Sequence, residues 1–193
     1  MEKLLKGLLL LLFTILSFTL NGQSFSLSDK GNSIVVKGTS SLHDWVMDMK
    51  IMKCDVNLIL NGSDVQDIGE IRFSGKAREL KSESNLMDKK AYAALRSDKF
   101  PEIKFTKTSL TGLLSGNNKF SGKLAGDLSV AGETRRVDFP FTGTLGSNKT
   151  IDINGKIDLK MSDFKIDPPT AMLGTLKTGD AISVSFTIRL VPE

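Results

Sequence analysis

The sequence has one cysteine, one histidine and one tryptophan among its 193 residues, so several kinds of side-chain chemistry are scarce. The single Cys54 cannot form an internal disulfide, which leaves stabilisation of the fold to a hydrophobic core. One histidine and one cysteine are too few for the usual zinc ligand sets, and any catalytic triad would have to include His43. A glycine-rich phosphate loop and a nucleophile elbow are also missing. The sequence therefore predicts no metal, no cofactor and no enzymatic activity.

Charge of one sign is not in large excess either, because 26 Lys and Arg residues stand against 22 Asp and Glu residues. These charges fall on the polar positions of alternating segments and do not form clusters. Such a pattern is typical of a solvated surface and gives no support for a nucleic-acid partner.

A long apolar run occurs near the start of the chain, where two lysines precede an apolar stretch over residues 7–20. A basic start, a short apolar run and the small residue Gly22 are the layout of a secretory signal peptide. The run is shorter than the ~20 apolar residues that a spanning helix needs. We therefore expect a signal peptide at residues 1–22, one mature domain at residues 23–193, and a periplasmic or secreted protein.

The sequence is rich in strict alternation of apolar and polar residues. A period of two places the apolar set on one face of a β-strand and the polar set on the other. The pattern is clearest in four segments, residues 119–130, 136–145, 151–161 and 182–190. A sheet with one buried face must close on itself or stack on another sheet, so we predict an all-β, antiparallel fold.

Other segments predict the remaining elements. The dipeptide Gly31-Asn32 lies between two alternating segments and predicts a hairpin. In the next segment the apolar phase changes from odd to even positions near Met52, which predicts a β-bulge. Residues 84–97 predict one short helix, with Ser84 as its N-cap. About eight strands result, a number that closes a barrel able to hold side chains or one small ligand.

Glycines occupy the apolar phase of three of the four alternating segments. On a buried face they remove volume that a core would normally fill, which would leave room for a ligand. They equally allow a strongly coiled sheet to bend at the corners of a barrel. Both interpretations remain open at the level of the sequence.

Several short motifs together resemble a known family. They are the segment from Ser97 to Phe105, the hairpin from Leu128 to Val137, and Asp163-Phe164-Lys165-Ile166 with the later Leu176-Lys177-Thr178-Gly179-Asp180. With these motifs in this order over almost all of residues 23–193, the sequence resembles the YceI-like family. Members of that family usually carry a glycine where this chain has Lys165.

The resemblance implies an exported lipocalin-like barrel, closed or nearly closed, whose apolar interior takes a polyisoprenoid or another long-chain lipid. Burial of hydrocarbon contributes ~0.8 kcal/mol per methylene, so such a site needs no polar motif. The candidate lining residues are inward-facing strand positions, with four glycines making room: Phe73, Gly75, Phe105, Phe120, Gly122, Leu124, Gly126, Leu128, Phe139, Phe141, Ile153, Gly155, Ile157, Val184 and Phe186.

Three further residues are candidates for contacts with a ligand head group or for packing at the barrel mouth. His43 and Trp45 lie in one short polar and aromatic segment, and Arg135 follows a tight turn where its guanidinium could meet a lipid phosphate. Because neighbouring residues of a strand point to opposite faces, His43 and Asp44 are poorly placed to pair. A purely structural role remains open for each of the three.

Three classes of function remain open. The favoured one is a non-catalytic lipid-binding protein, which would contact a membrane only transiently, during ligand exchange. The second is an envelope structural or interaction protein with a solid barrel, and the third is an enzyme that acts on a lipid-like substrate through His43. The sequence leaves a homodimer open and does not identify the length or head group of a ligand.

Overall fold

The computed structural model describes residues 22–146, 148–171 and 174–193, and the predicted signal peptide lies almost entirely outside them. Eleven strands and one α-helix form within these residues. Their bounds are β1 Gln23–Leu27, β2 Ser33–Ser40, β3 Trp45–Met49, β4 Lys53–Asn61, β5 Asp64–Lys76, α1 Asn85–Ala94, β6 Glu102–Gly116, β7 Lys119–Val130, β8 Glu133–Leu145, β9 Ile151–Lys160, β10 Thr170–Ala171 and β11 Leu176–Pro192.

Eight of these strands form an antiparallel ring in the order β1, β4, β5, β6, β7, β8, β9 and β11. The ring closes where Phe25 and Leu27 of β1 pair with Pro192 and Leu190 of β11. β2 and β3 extend the same sheet beyond β11, and β3 has no strand on its other side within the described residues, where Asp48 forms an isolated bridge to Lys81. The predicted all-β, nearly closed barrel is confirmed.

β1 and β2 lie end to end along β11 rather than against each other. β1 pairs with the last residues of β11, and Ser33 of β2 pairs with Thr187 further back on the same strand. The hairpin predicted at Gly31-Asn32 is therefore wrong, because the turn residues there only separate two parts of one interrupted strand. Asn32 anchors this interruption, since its side-chain oxygen accepts a hydrogen bond of 2.7 Å from the backbone N–H of Arg189.

β3 and β4 form a second interrupted strand, which runs antiparallel to the first. Three residues, 50–52, separate β3 from β4 at the point where the apolar phase changes. The sequence predicted a disturbance at this position, but its form is a break in the strand and not a bulge.

The predicted helix is present, although it is shorter than residues 84–97. The Ser84 hydroxyl accepts a hydrogen bond from the backbone N–H of Met87 and so caps the N-terminus of α1, as expected from the sequence. Asp88 is buried, and its carboxylate accepts hydrogen bonds from the backbone N–H and the hydroxyl of Ser82. These bonds fix the first turn of the helix against the chain that leads into it.

The two ends of the barrel are packed differently. At the end that carries the turn between β4 and β5, which we call the solid end, several large inward-facing residues are completely buried. At the end that carries α1 and the start of β11, which we call the hollow end, several residues of the same phase are only half-buried. Along β9, for example, Ile151 is 0% exposed and Ile153 is 8% exposed, whereas Ile157 and Leu159 are half-buried. The interior is therefore filled at one end and open at the other.

Aromatic rings lie over glycines on the inner face of the sheet. A Cβ atom on Gly126 would overlap with the ring of Phe105 and with the backbone oxygen of Thr106, and a Cβ on Gly155 would overlap with the ring of Phe186. The space left by these two glycines is occupied by neighbouring rings, so it is not open volume. Their role in the structure is close packing, which corrects the expectation that they make room.

We expect Gly126→Ala to lower the free energy of unfolding by about 1–3 kcal/mol, the range for overpacking in a core, because a backbone atom as well as a ring would have to move. Denaturation in urea measures the change. Gly116→Ala is the matched control, because a Cβ there would meet nothing within 4 Å. Equal stability of the two variants would contradict the close packing at Gly126.

Candidate functional site

A cavity of about 420 Å³ occupies the hollow end of the barrel. This volume lies within the range of 300–1,000 Å³ that is common for small-molecule sites. Three aromatic rings of the wall form a chain, in which the Phe139 centroid lies 5.5 Å from that of Phe105 and 5.4 Å from that of Phe186. Ile153 and Ile188, nearer the solid end, also line the cavity, whereas Phe120 and Phe141 do not.

The cavity exists because strands separate at the hollow end. β8 and β9 pair only through Phe141–Leu145 and Ile151–Gly155, and their other halves diverge. The gap is covered by a 3₁₀ turn, Met161–Phe164, and the chain after it, from which Met161, Phe164 and Ile166 line the cavity. A covering segment that is not a strand completes the wall without filling the interior.

The helix α1 covers the second gap, beside β3. Its residues Met87, Ala91 and Ala94, and Leu95 directly after it, line the cavity. Two of these four are alanines, so the helix closes the wall while occupying little of the interior. On its other side Ala93 is exposed to solvent.

Most of the cavity wall is apolar, and its polar residues come from the segments that surround the hollow end. The polar residues that line it are Ser40, His43, Lys90, Thr170, Lys177 and Thr178. Four of the six lie close together on paired strands, because Thr170 pairs with Lys177 and Thr178 pairs with Ser40. An apolar pocket with a polar rim is suited to an amphiphile whose chain enters first.

The structure places most of the predicted lining residues on the cavity wall. Nine of the fifteen are there, namely Phe73, Phe105, Leu124, Leu128, Phe139, Ile153, Ile157, Val184 and Phe186. Phe120 and Phe141 lie instead in the solid end, where their rings pack edge to face with centroids 6.1 Å apart. Gly75, Gly122, Gly126 and Gly155 are not on the wall, and no glycine of the described residues lines it. Contact of any of these residues with a ligand stays a prediction.

Of the three predicted mouth residues, two lie at the cavity. Trp45 packs its ring on Gly38 and donates a hydrogen bond of 3.0 Å to the backbone oxygen of Thr39. His43 is exposed, and its Nδ1 atom lies 2.8 Å from the backbone oxygen of Asp44. The side chains of His43 and Asp44 form no hydrogen bond with each other, and both residues precede β3 rather than lie in a strand.

Arg135 lies outside the cavity, so its placement as a mouth contact is not supported by the geometry. Its Nε atom donates a hydrogen bond of 2.7 Å to the backbone oxygen of Asp163, and its guanidinium lies 3.9 Å from the Glu133 carboxylate. The arginine therefore ties the hairpin between β7 and β8 to the 3₁₀ turn that covers the diverging strands.

Several wall residues were not among the sequence-based candidates. Met47 and Met49 share the phase of Trp45, so extending that phase along β3 would have found them. Lys90 and Lys177 carry no such signal, because one lies on a helix and the other on a strand that is distant in sequence. Their approach depends on tertiary pairing, which alternation alone does not reveal.

Cys54 is buried on the cavity wall. Burial, with a smaller contribution from the neighbouring Asp55 charge, raises the pKa of its thiol to about 12. A thiol of this kind stays protonated at neutral pH and behaves as a small apolar side chain. Within the described residues no group of three or more potential metal ligands occurs.

The motifs that carried the family resemblance meet at the hollow end. The Phe100 ring packs on Gly132, and Lys165 forms an ion pair of 2.9 Å with Glu133. Lys165 adopts a φ of 52°, a left-handed conformation that glycine adopts most easily. That conformation explains the usual glycine of the family at this position. In this chain the position holds a lysine, which adopts the left-handed conformation less easily than glycine and forms the ion pair with Glu133.

Comparisons with known proteins agree with this architecture. The family model of the YceI-like domain matches residues 20–190. A polyisoprenoid binding domain from Saccharophagus degradans, implicated in plant cell wall breakdown, superposes with a TM-score of 0.67 at 10% identity, covering 89% of this chain and 99% of that chain. BcnA from Burkholderia cenocepacia gives a TM-score of 0.66 at 13% identity, with 84% and 98% covered.

A third solved structure, the YCEI protein of Campylobacter jejuni, gives a TM-score of 0.59 at 18% identity and covers 75% of this chain and 82% of that chain. At such identities the structural likeness establishes the fold alone. No curated protein matches the sequence. Among the helices of the described residues, none has the length and apolar character needed to cross a membrane.

Proposed function

This chain belongs to the YceI-like domain family, and from that membership we propose that it is an exported, non-catalytic protein that carries a long apolar lipid. The observation that carries the proposal is the hollow end, a cavity of about 420 Å³ with a mostly apolar wall. The solved domain from Saccharophagus degradans is described as polyisoprenoid binding. A polyisoprenoid or another long single-chain lipid is therefore the first class of ligand to test.

Burial of hydrocarbon alone supplies enough free energy for useful binding. Each methylene that leaves water contributes ~0.8 kcal/mol, so ten of them contribute roughly 8 kcal/mol. Part of this is lost to the entropic cost of association, which preformed walls keep low. The wall is held by backbone pairing of the barrel strands themselves, so we expect lipid binding to require little reorganisation of the protein.

Export belongs to the proposal because the predicted signal peptide at residues 1–22 precedes the barrel. Outside the cytoplasm, a long lipid crosses water only when its chain is covered. Leu42, which lines the cavity and is 66% exposed, gives the rim an apolar side chain for transient contact with a membrane. In this role the protein takes lipid from one surface and releases it at another without chemical change.

The proposal is tested by purifying the protein without detergent and analysing its organic extract by mass spectrometry. We expect a long-chain lipid in stoichiometric amount. Heat-denatured protein from the same preparation serves as the control for lipid that adheres without a cavity. An empty extract, together with failure of the lipid-free protein to take up a polyprenol or a fatty acid, would exclude the carrier function.

A further inference from the structure

Two cations lie on the wall of an otherwise apolar cavity. Lys90 and Lys177 are the Lys and Arg residues among its described lining residues, and no Asp or Glu of those residues lines it. A charge beside apolar surface is costly to desolvate unless an opposite charge or a hydrogen-bond partner meets it. The charge that these side chains give the rim is therefore positive.

One short strand pair brings the two lysines to the same part of the cavity wall. Lys90 of α1 donates a hydrogen bond from its Nζ atom to the backbone oxygen of Thr170. Thr170 is the register partner of Lys177 across β10 and β11. Ser41 holds the backbone of Lys177 by two hydrogen bonds. The Lys177 N–H donates to the Ser41 hydroxyl at 3.0 Å, and the Ser41 N–H donates to the Lys177 backbone oxygen at 2.9 Å. Helix, strand and loop therefore bring both lysines to one side of the rim, where Lys90 is half-buried and Lys177 is exposed.

Neither ammonium group is neutralised by the described part of the protein. Ion pairs there join Lys50, Lys104, Lys123, Lys156 and Lys165 to carboxylates, and none includes Lys90 or Lys177. An ammonium group has three N–H donors, and Lys90 uses one of them on Thr170. Donors remain for an anionic group that arrives with a ligand.

We infer that the lipid carried by this protein ends in an anionic group, a carboxylate or a phosphate, which lies between Lys90 and Lys177 while its chain fills the cavity. This inference rests on the proposed carrier function and specifies the chemical class of its ligand. Hydrogen bonds between charged groups are roughly twice as strong as neutral ones, so the head group contributes selectivity and the chain contributes most of the affinity.

The test compares three ligands with the same chain, which are palmitic acid, hexadecyl phosphate and hexadecanol. Binding to lipid-free protein is followed through the fluorescence of Trp45, the one tryptophan of the chain, which lies on the cavity wall. We expect the two anions to bind roughly ten- to a hundredfold more tightly than the alcohol, the ratio that corresponds to hydrogen bonds to a charged group. A preference between carboxylate and phosphate identifies which head group fits better.

The variants Lys90→Met and Lys177→Met should each reduce this ratio, and the double variant should bring it close to one, because the anions lose their charged partners. Lys89→Met is the matched control, because Lys89 neighbours Lys90 on the helix but is exposed and lies off the cavity wall. Equal binding of all three ligands to the unmodified protein, or an unchanged ratio in the double variant, overturns the anionic head group while leaving the carrier function intact. Absence of binding by all three overturns the anionic head group, and the carrier function is then decided separately by the organic extract and by uptake of a polyprenol.

Discussion

Ala91→Trp is expected to weaken binding of a long-chain lipid by about a hundredfold or more while leaving the barrel folded. Ala91 lies on the inner side of α1 and lines the cavity, so an indole there occupies space that a lipid chain would take. Affinity depends mainly on buried hydrocarbon at ~0.8 kcal/mol per methylene, and loss of four methylenes from the site costs roughly 3 kcal/mol. Titration with radiolabelled palmitate measures the effect independently of the added tryptophan.

The matched control for this prediction is Ala93→Trp on the same helix. Ala93 is exposed and lies off the cavity wall, so the same substitution there adds the same side chain without entering the cavity. The thermal midpoint of both variants shows whether the barrel remains intact. If Ala91→Trp binds palmitate as tightly as Ala93→Trp does, the lipid does not occupy this cavity.

The second large effect concerns stability, and it compares two isoleucines of one strand. Ile151→Ala is expected to lower the free energy of unfolding of the lipid-free protein by about 4 kcal/mol, because a fully buried isoleucine loses its packing and leaves a void. Ile157→Ala should cost about 1 kcal/mol or less, since Ile157 is half-buried and borders a space that already exists. Urea denaturation of lipid-free protein measures both values.

Addition of palmitate gives these two variants opposite signatures. A ligand that binds only the folded state stabilises it by mass action, so the increase in the free energy of unfolding on addition of palmitate reports affinity. This increase should be smaller for Ile157→Ala than for the unmodified protein. For Ile151→Ala it should equal that of the unmodified protein, although the lipid-free variant is less stable. Equal destabilisation by the two substitutions would contradict the division into a solid and a hollow end.

The architecture was largely accessible from the sequence, since burial of one face imposes a period of two on a strand. For this reason β7, β8 and β9 coincide closely with alternating segments, whereas β11 extends beyond its segment at both ends. The same reasoning failed at Gly31-Asn32, because a hairpin and an interruption within one strand use the same turn residues. Only the pairing of β1 and β2 with the distant β11 distinguishes the two, and such pairing leaves no local trace.

Part of the candidate site could be predicted from the sequence. Ile151 and Ile157 have the same phase and the same residue type, so nothing in the alternation separates a packed end from an open one. The separation arises where strands diverge and a helix with small inward residues replaces them. The cationic rim was missed for a similar reason, since Lys90 and Lys177 become neighbours only through the pairing of β10 with β11.

The long strand β11 also determines how the barrel can form. It pairs with β1, β2, β9 and β10, and its contact with β1 joins residues from nearly opposite ends of the described chain. Contacts of such sequence separation are entropically expensive and slow to form. Until β11 docks, the free edges of β1 and β9 remain open to other chains, as unpaired strand edges do. Pairing of β11 with both neighbours therefore closes the barrel and covers these two free edges together.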